Sequence, residues 1–369
     1  MIQRKRIGID IQSTFKQMTG IGQYTTHLVQ SLASIDGEND YYLTGYIPWY
    51  KVEKRRHSIQ PPAGNFKRAI QWIPPRFRNP TDGLDLFHTS HVNGFSWISC
   101  RMIFTVMDCS WRGYPEGFSQ ALRNCLDEKM REASQKAGGF IAISESTRND
   151  FLKYFPVAEK KVKVIPLAAS EAFRLLPDRE ASRADLLKYG ISFPYLLFVG
   201  SFEPVKNVPG LLRAFHAIHR EIPHHLVCVG VLRQRREEIL MLLAELGLEE
   251  RVHLIGYVPL EDLVVLYNLA DLFVFPSFYE GFGLPILEAF RCGTPVLASR
   301  NSSMPEVAGE AAYWVNPFEI EDISKGIREL IQNRGLRESL SQKGLLRANS
   351  FSWKKTALET LSLFQEVLG

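Results

Sequence analysis

The stretch Asp271-Leu-Phe-Val-Phe-Pro-Ser-Phe-Tyr-Glu280-Gly-Phe-Gly-Leu-Pro285-Ile-Leu-Glu288-Ala-Phe-Arg-Cys-Gly293-Thr-Pro-Val-Leu-Ala298 contains a complete strand, loop, helix and second strand. Leu272 to Phe275 is a short apolar run of the kind that forms a buried strand. Pro285 suits the first turn of a helix, and Gly293 suits its C-cap. Pro295 to Ala298 supplies the next strand. Gly281 and Gly283 therefore stand at a helix N-terminus, where backbone N–H groups and the helix dipole attract an anion. Glu288 falls about one turn into that helix. A carboxylate there could accept hydrogen bonds from sugar hydroxyls, and Glu280, ahead of the loop, could reach a different hydroxylated group. The plain alternative is a helix start whose acids are stabilised by its dipole.

The same alternation runs outward in both directions. Upstream, Tyr195 to Val199 reads as a strand and Val208 to Glu221 as its helix, followed by strands at His225 to Val229 and Val252 to Leu254. An earlier series begins with Ile7 to Ile11, followed by a helix with Tyr24, Leu28, Leu32 and Ile35 on one face. Its further strands are Leu84 to His88, Met102 to Val106, Gly139 to Ile143 and Lys163 to Ile165. Strand–helix–strand alternation implies parallel sheets covered by helices. Between the two series lies Pro166 to Pro194, with three prolines and little strand pattern. At the end, Ser352 is placed to N-cap a helix with Ala357, Leu361, Phe364 and Leu368 on one face. The expected organisation is an α/β chain of two Rossmann-like domains, 1–170 and 171–351, with 352–369 returning to the first. A length of 369 residues agrees, at about 150 residues per domain.

Composition narrows the class. The 45% apolar and 23% charged content is that of a folded globular chain. No run of 18 apolar residues occurs, so no transmembrane helix is expected. The basic N-terminus loses its apolar character at Asp10, which argues against a secretion signal. Five cysteines, an odd number without a Cys-x-x-Cys pair, fit reduced thiols in the cytoplasm. The net charge of +4 divides into +8 over residues 1–170 and −4 over the rest. Lys51 to Arg78 holds eight basic residues and one acid, Glu53. An anionic membrane surface, nucleic acid and a solvated loop are the readings of such a segment.

In open parallel sheets chemistry sits on the loops that leave the strands' carboxyl ends. Gly200-Ser201-Phe-Glu-Pro-Val-Lys206-Asn207 follows a strand, and Lys206 there could neutralise a phosphate. Thr19-Gly20-Ile-Gly22-Gln-Tyr24 is read as the first loop of the first domain, its glycines letting backbone approach a ligand. It does not form a Gly-x-Gly-x-x-Gly fingerprint, because position 25 is Thr, so a dinucleotide site is poorly supported. His88, His91 and Asp108 follow strands and could line a cleft. His88 and His91 lack a clear third ligand for a metal, and a structural role for them competes. No Asp-x-Asp occurs to clamp a metal diphosphate.

These pieces, taken in order, resemble the glycosyltransferases of family 4, with the GT-B fold of two Rossmann-like domains facing across a cleft. The resemblance rests on Thr19 to Tyr24, Val106-Met-Asp108, Ile143 to Ser146, Val164-Ile-Pro166, Gly200 to Asn207, Glu280 to Glu288, Ser303-Met-Pro-Glu-Val307 and Phe351-Ser-Trp353. The acid–Gly-Phe-Gly-Leu-Pro–acid core is the most specific part. The resemblance implies a retaining hexosyltransferase that moves a sugar from a nucleotide-sugar to a hydroxyl of a glycan or lipid-linked acceptor. The variants seen here look most like bacterial mannosyltransferases of surface polysaccharide assembly, which favours mannose from GDP-mannose. Carried over, Lys206 neutralises the donor diphosphate and the backbone at Phe282 and Gly283 cradles it. Gly281 and Leu284 flank that cradle, with Gly200 and Ser201 on the neighbouring loop. Glu280 holds donor-sugar hydroxyls and Glu288 the ribose. Gly20, Gly22 and Asp108 serve the reacting centre from the first domain. No metal, cofactor or nucleic acid is implied. The cytoplasm, at the inner membrane face, is the implied location. Two positions depart from the common pattern: Met107 where His often precedes Asp108, and Ser201 where Arg often follows the glycine. A Rossmann oxidoreductase and a weakly catalytic glycan- or sugar-nucleotide-binding protein are the competing readings.

Overall fold

A computed structural model describes residues 4–15, 20–47, 59–62, 64–71, 79–91, 95, 97–179, 181–232 and 235–369. The chain divides into two compact units, Met1–Leu167 with Ser352–Gly369, and Ala168–Phe351. Each is built on a parallel sheet. The first sheet contains β1 (Arg6–Asp10), β2 (Asp40–Tyr46), β3 (Phe66–Gln71), β4 (Leu86–Thr89), β5 (Arg101–Val106), β6 (Gly139–Ala142) and β7 (Val162–Val164), in the order β3-β2-β1-β4-β5-β6-β7. The second contains β8 (Tyr195–Val199), β9 (His225–Val229), β10 (Val252–Ile255), β11 (Leu272–Phe275), β12 (Val296–Ser299) and β13 (Ala312–Val315), in the order β10-β9-β8-β11-β12-β13. Central strands such as Leu272-Phe-Val-Phe275 are buried along their whole length, as strands covered on both faces must be.

Both strand orders reverse once, between β1 and β4 and between β8 and β11. At such a point the connections leave toward opposite faces of the sheet, and the loops at the carboxyl ends part to leave a crevice. β8 delivers Gly200 to Asn207 to that place, and β11 delivers Glu280 to Gly283.

Ten strands lie within two residues of their expected positions. β2, β3 and β13 were not expected from sequence. β3 falls inside the basic segment, where a loop was one reading. Its Phe66 stacks on Tyr41 at 4.4 Å while the adjacent Lys67 and Arg68 are exposed, so the run lacks an apolar alternation and its charge masks it. Basic side chains on an edge strand also discourage further pairing. Residues 51–58, 63 and 72–78 of the basic segment lie outside the described residues.

The first helix, Gly20–Ile35, begins four residues before Tyr24, so Gly20 and Gly22 sit in its first turn and not in a loop. Thr19 lies outside the described residues. The last helix, Trp353–Leu368, belongs to the first unit. The Ser352 side chain accepts from the Lys355 N–H at 3.2 Å as its N-cap. Its buried seam runs through Trp353, Ala357, Thr360 and Phe364, while Leu361 and Leu368 are only half-buried. The seam is set by what it meets. Trp353 stacks on His27 at 5.0 Å, and a Cβ on Gly139 would come within 3.0 Å of Val367.

Candidate functional site

In the second unit the two loops of the crevice meet through Lys206 and Glu280. Lys206 closes the short turn Pro204–Lys206, and its Nζ donates to both carboxylate oxygens of Glu280, at 2.6 and 2.8 Å. The ammonium also stands 5.5 Å above the Phe275 ring. Asn207 follows in the left-handed conformation, φ 55°, and its Nδ2 donates to Pro276 O at 3.1 Å and Pro317 O at 2.8 Å. One side chain thus fastens the loop after β8 to the loops after β11 and β13. On the other flank Gly230, φ +149°, is forced to be glycine. A Cβ there would lie 1.9 Å from Gly200 O.

The loop after β11 is held from beneath. Ser303 Oγ lies 2.9 Å from both Glu280 O and Phe282 O, to which it donates, and Ser302 Oγ accepts from the Glu280 N–H at 3.0 Å. Gly283, φ +101°, turns the chain into the helix Leu284–Arg291, with Pro285 in its first turn. Gly281 and Phe282 lead into this turn. The positive end of the helix therefore follows closely on Glu280, the carboxylate that Lys206 binds. Ser201 is half-buried beside Gly200.

Glu288 lies within the same helix and is buried. Its Oε2 accepts the Tyr267 hydroxyl at 2.9 Å. Burial pushes its carboxyl up to about 7, with the Tyr267 hydrogen bond pulling back. Tyr267 was missed by sequence reading. It sits in an apolar run whose only signal was burial.

The first unit presents a second polar cluster at its own strand reversal. Asp10 ends β1; its Oδ1 accepts from the Gln12 N–H at 2.9 Å and its Oδ2 from the Thr89 hydroxyl at 2.8 Å. Burial raises the Asp10 pKa, against the Gln12 amide, the His91 charge and the Thr89 hydroxyl. Sequence reading had singled out His91 but not Asp10. Asp108 accepts Ser110 N–H at 2.8 Å and Ser110 O–H at 2.6 Å on Oδ1, which leaves Oδ2 without a hydrogen bond among the described residues. Gly20 is exposed, with nothing within 4 Å of a Cβ there, whereas Gly22 is buried. His88 is buried, and its Nδ1 has no hydrogen bond among the described residues. Its Nε2 meets the Thr105 hydroxyl at 2.8 Å, and burial holds the ring neutral, its pKa lowered to about 3.

Two parallel-sheet units, with Lys206, Glu280 and the start of the helix Leu284–Arg291 at one strand reversal, form an α/β chain of the GT-B class. Comparison places it further. Residues 178–347 match the family described as glycosyl transferases group 1, and residues 18–170 match glycosyltransferase family 4. The O-antigen chain mannosyltransferase B of Escherichia coli is 33% identical over 375 residues, covering 94% of this chain and 96% of that one. This chain belongs to the family 4 glycosyltransferases, and the oxidoreductase reading falls. Among solved structures, sucrose-phosphate synthase from Thermosynechococcus elongatus superposes with a TM-score of 0.78 at 21% identity over 99% of each chain. The Anabaena HepE protein, in complex with UDP-glucose, gives 0.78 at 17% identity, covering 98% of this chain and 99% of that one. At such identities these two speak for the fold.

Proposed function

We propose that this glycosyltransferase is a retaining mannosyltransferase that moves mannose from GDP-mannose to a hydroxyl of a glycan or lipid-linked acceptor in surface polysaccharide assembly. The sugar and acceptor class are supported by the 33% identity to the E. coli O-antigen chain mannosyltransferase. The observation that carries the donor site is the Lys206–Glu280 pair beside the start of the helix Leu284–Arg291. Lys206 and that helix end receive the diphosphate, Glu280 the sugar hydroxyls and Glu288 the ribose. Phe282, Gly283 and Leu284 supply backbone to the cradle, with Gly200 and Ser201 opposite. Asp108, Gly20 and Gly22 serve the acceptor side.

The barrier is departure of the nucleotide diphosphate from the anomeric carbon. Fixed positive groups aimed at the developing charge lower it most, and losing one donor of this kind costs about 3–4 kcal/mol. A phosphate oxygen of the leaving group accepts the acceptor's proton as the new C–O bond forms on the same face, which retains configuration. Lysine and helix dipole provide the positive charge, so no metal is required. Transfer of labelled mannose from GDP-mannose in excess EDTA, with the anomer assigned by NMR, tests this. An α-linked product formed without metal agrees. Abolished transfer restored by a divalent ion, or an inverted anomer, contradicts it.

A further inference from the structure

Glu288 has two carboxylate oxygens in different situations. Oε2 is occupied by the Tyr267 hydroxyl, and no hydrogen bond reaches Oε1 among the described residues. The phenol itself is immobilised. Tyr267 is fully buried in the helix Leu260–Leu269, with its ring edge-on to Phe173 at 5.6 Å and to Phe273 at 5.4 Å. Its own carbonyl accepts the Thr294 hydroxyl at 2.5 Å. The tyrosine is thus a fixed neutral donor reaching from one helix into the next.

We propose that Tyr267 is a positioning residue for nucleotide recognition: by holding Oε2, it aims Oε1 of Glu288 at a ribose hydroxyl and makes the site selective for ribonucleotides over their deoxy forms. The proposal rests on Glu288 being the ribose contact. Two observations support it. First, burial pushes the Glu288 carboxyl up to about 7, so the tyrosine hydrogen bond is what favours the ionised acceptor at neutral pH. Second, the neighbouring groups that act on Glu288 carry no charge there. Tyr267 is raised well above its ordinary range, and Cys292 is pushed up to about 12 by burial and then by Glu288 itself. Among the described residues no ion pair reaches Glu288, so no cation substitutes for the phenol. Without it, Oε2 is a buried acceptor lacking a partner, and the carboxyl turns or protonates to satisfy it.

Tyr267→Phe removes the hydroxyl and keeps the ring. Calorimetric titration uses GDP and UDP, each beside its 2′,3′-dideoxy form, on wild type and Tyr267→Phe. In wild type the ribonucleotide that binds does so about tenfold more tightly than its dideoxy form. In Tyr267→Phe that ratio collapses toward one because the ribonucleotide weakens, while dideoxy affinity stays unchanged. The donor KM rises with kcat kept. If wild type shows no ratio, the ribose role of Glu288 falls and the proposal with it. If the ratio survives in Tyr267→Phe, or both nucleotides weaken equally, the tyrosine is structural only and the proposal alone is overturned.

Discussion

A buried acid leaves a signature in stability as well as in binding. The Glu288 carboxyl is held up to about 7 by burial, above its ordinary 4.5. A carboxyl raised in the folded state favours folding while protonated. That contribution is full below pH 4.5 and is lost as pH rises through 7. Glu288→Gln cannot ionise and still accepts from Tyr267. Its stability should therefore match wild type near pH 4.5 and exceed it at pH 8, by as much as about 3 kcal/mol. Melting curves at the two pH values measure this, and an equal difference at both would contradict it. Lys206 has a different part. Its Nζ is tied to both oxygens of Glu280, which is itself buried, so loss of Lys206 leaves a buried carboxylate without its cation and costs stability. Arginine there would change the contact, because a planar fork replaces a point charge.

At the scale of elements, the loop after β8 depends on Asn207. Asn207→Ala loses two hydrogen bonds to Pro276 O and Pro317 O and puts alanine at φ 55°, a left-handed conformation that asparagine tolerates better. The expected cost is about 2–4 kcal/mol. Asn207→Gly accepts the backbone angle and loses only the hydrogen bonds, so it should cost less. Denaturant titration separates the two, and a loss below about 0.5 kcal/mol in Asn207→Ala would contradict the stitching role. The same scale shows what the sequence disclosed. Fully apolar strands such as β8 and β11, and the glycine–proline turn into Leu284–Arg291, announce themselves through local chemistry. β3 does not, because the adjacent exposed Lys67 and Arg68 break its apolar pattern on both faces. β13 does not, because Tyr313 and Trp314 are half-exposed on a sheet edge. The donor-loop residues were legible because they need glycine, proline and acids at fixed spacing. Tyr267, Asn207 and Asp10 were hidden, since their roles arise from distant partners that only the fold brings near.

At the scale of the molecule, the charge asymmetry bears on location. No helix among the described residues is long and apolar enough to cross a membrane. The first 170 residues carry net +8. A basic surface gains about 1 kcal/mol per residue near an anionic bilayer, and this fades as salt shortens the screening length. Reversible docking through the Lys51–Arg78 segment is an expectation for vesicle binding to test. Within that segment Lys67 lies 3.8 Å from Asp40. Co-sedimentation with anionic vesicles at low salt should be lost when Arg55, Arg56, Lys67 and Arg68 become Ser. Equal binding to neutral vesicles, or none at all, would contradict this.

On the proposed function, the crevice between β8 and β11 holds a nucleotide-sugar donor through Lys206. Calorimetric titration of GDP, UDP and ADP into wild type and Lys206→Ala tests it most directly. One of these nucleotides is expected to bind wild type saturably, with affinity lower by at least about tenfold, or about 1.4 kcal/mol, in a Lys206→Ala variant that remains folded. Absence of nucleoside diphosphate binding in wild type, or equal affinity in a folded Lys206→Ala, would contradict it.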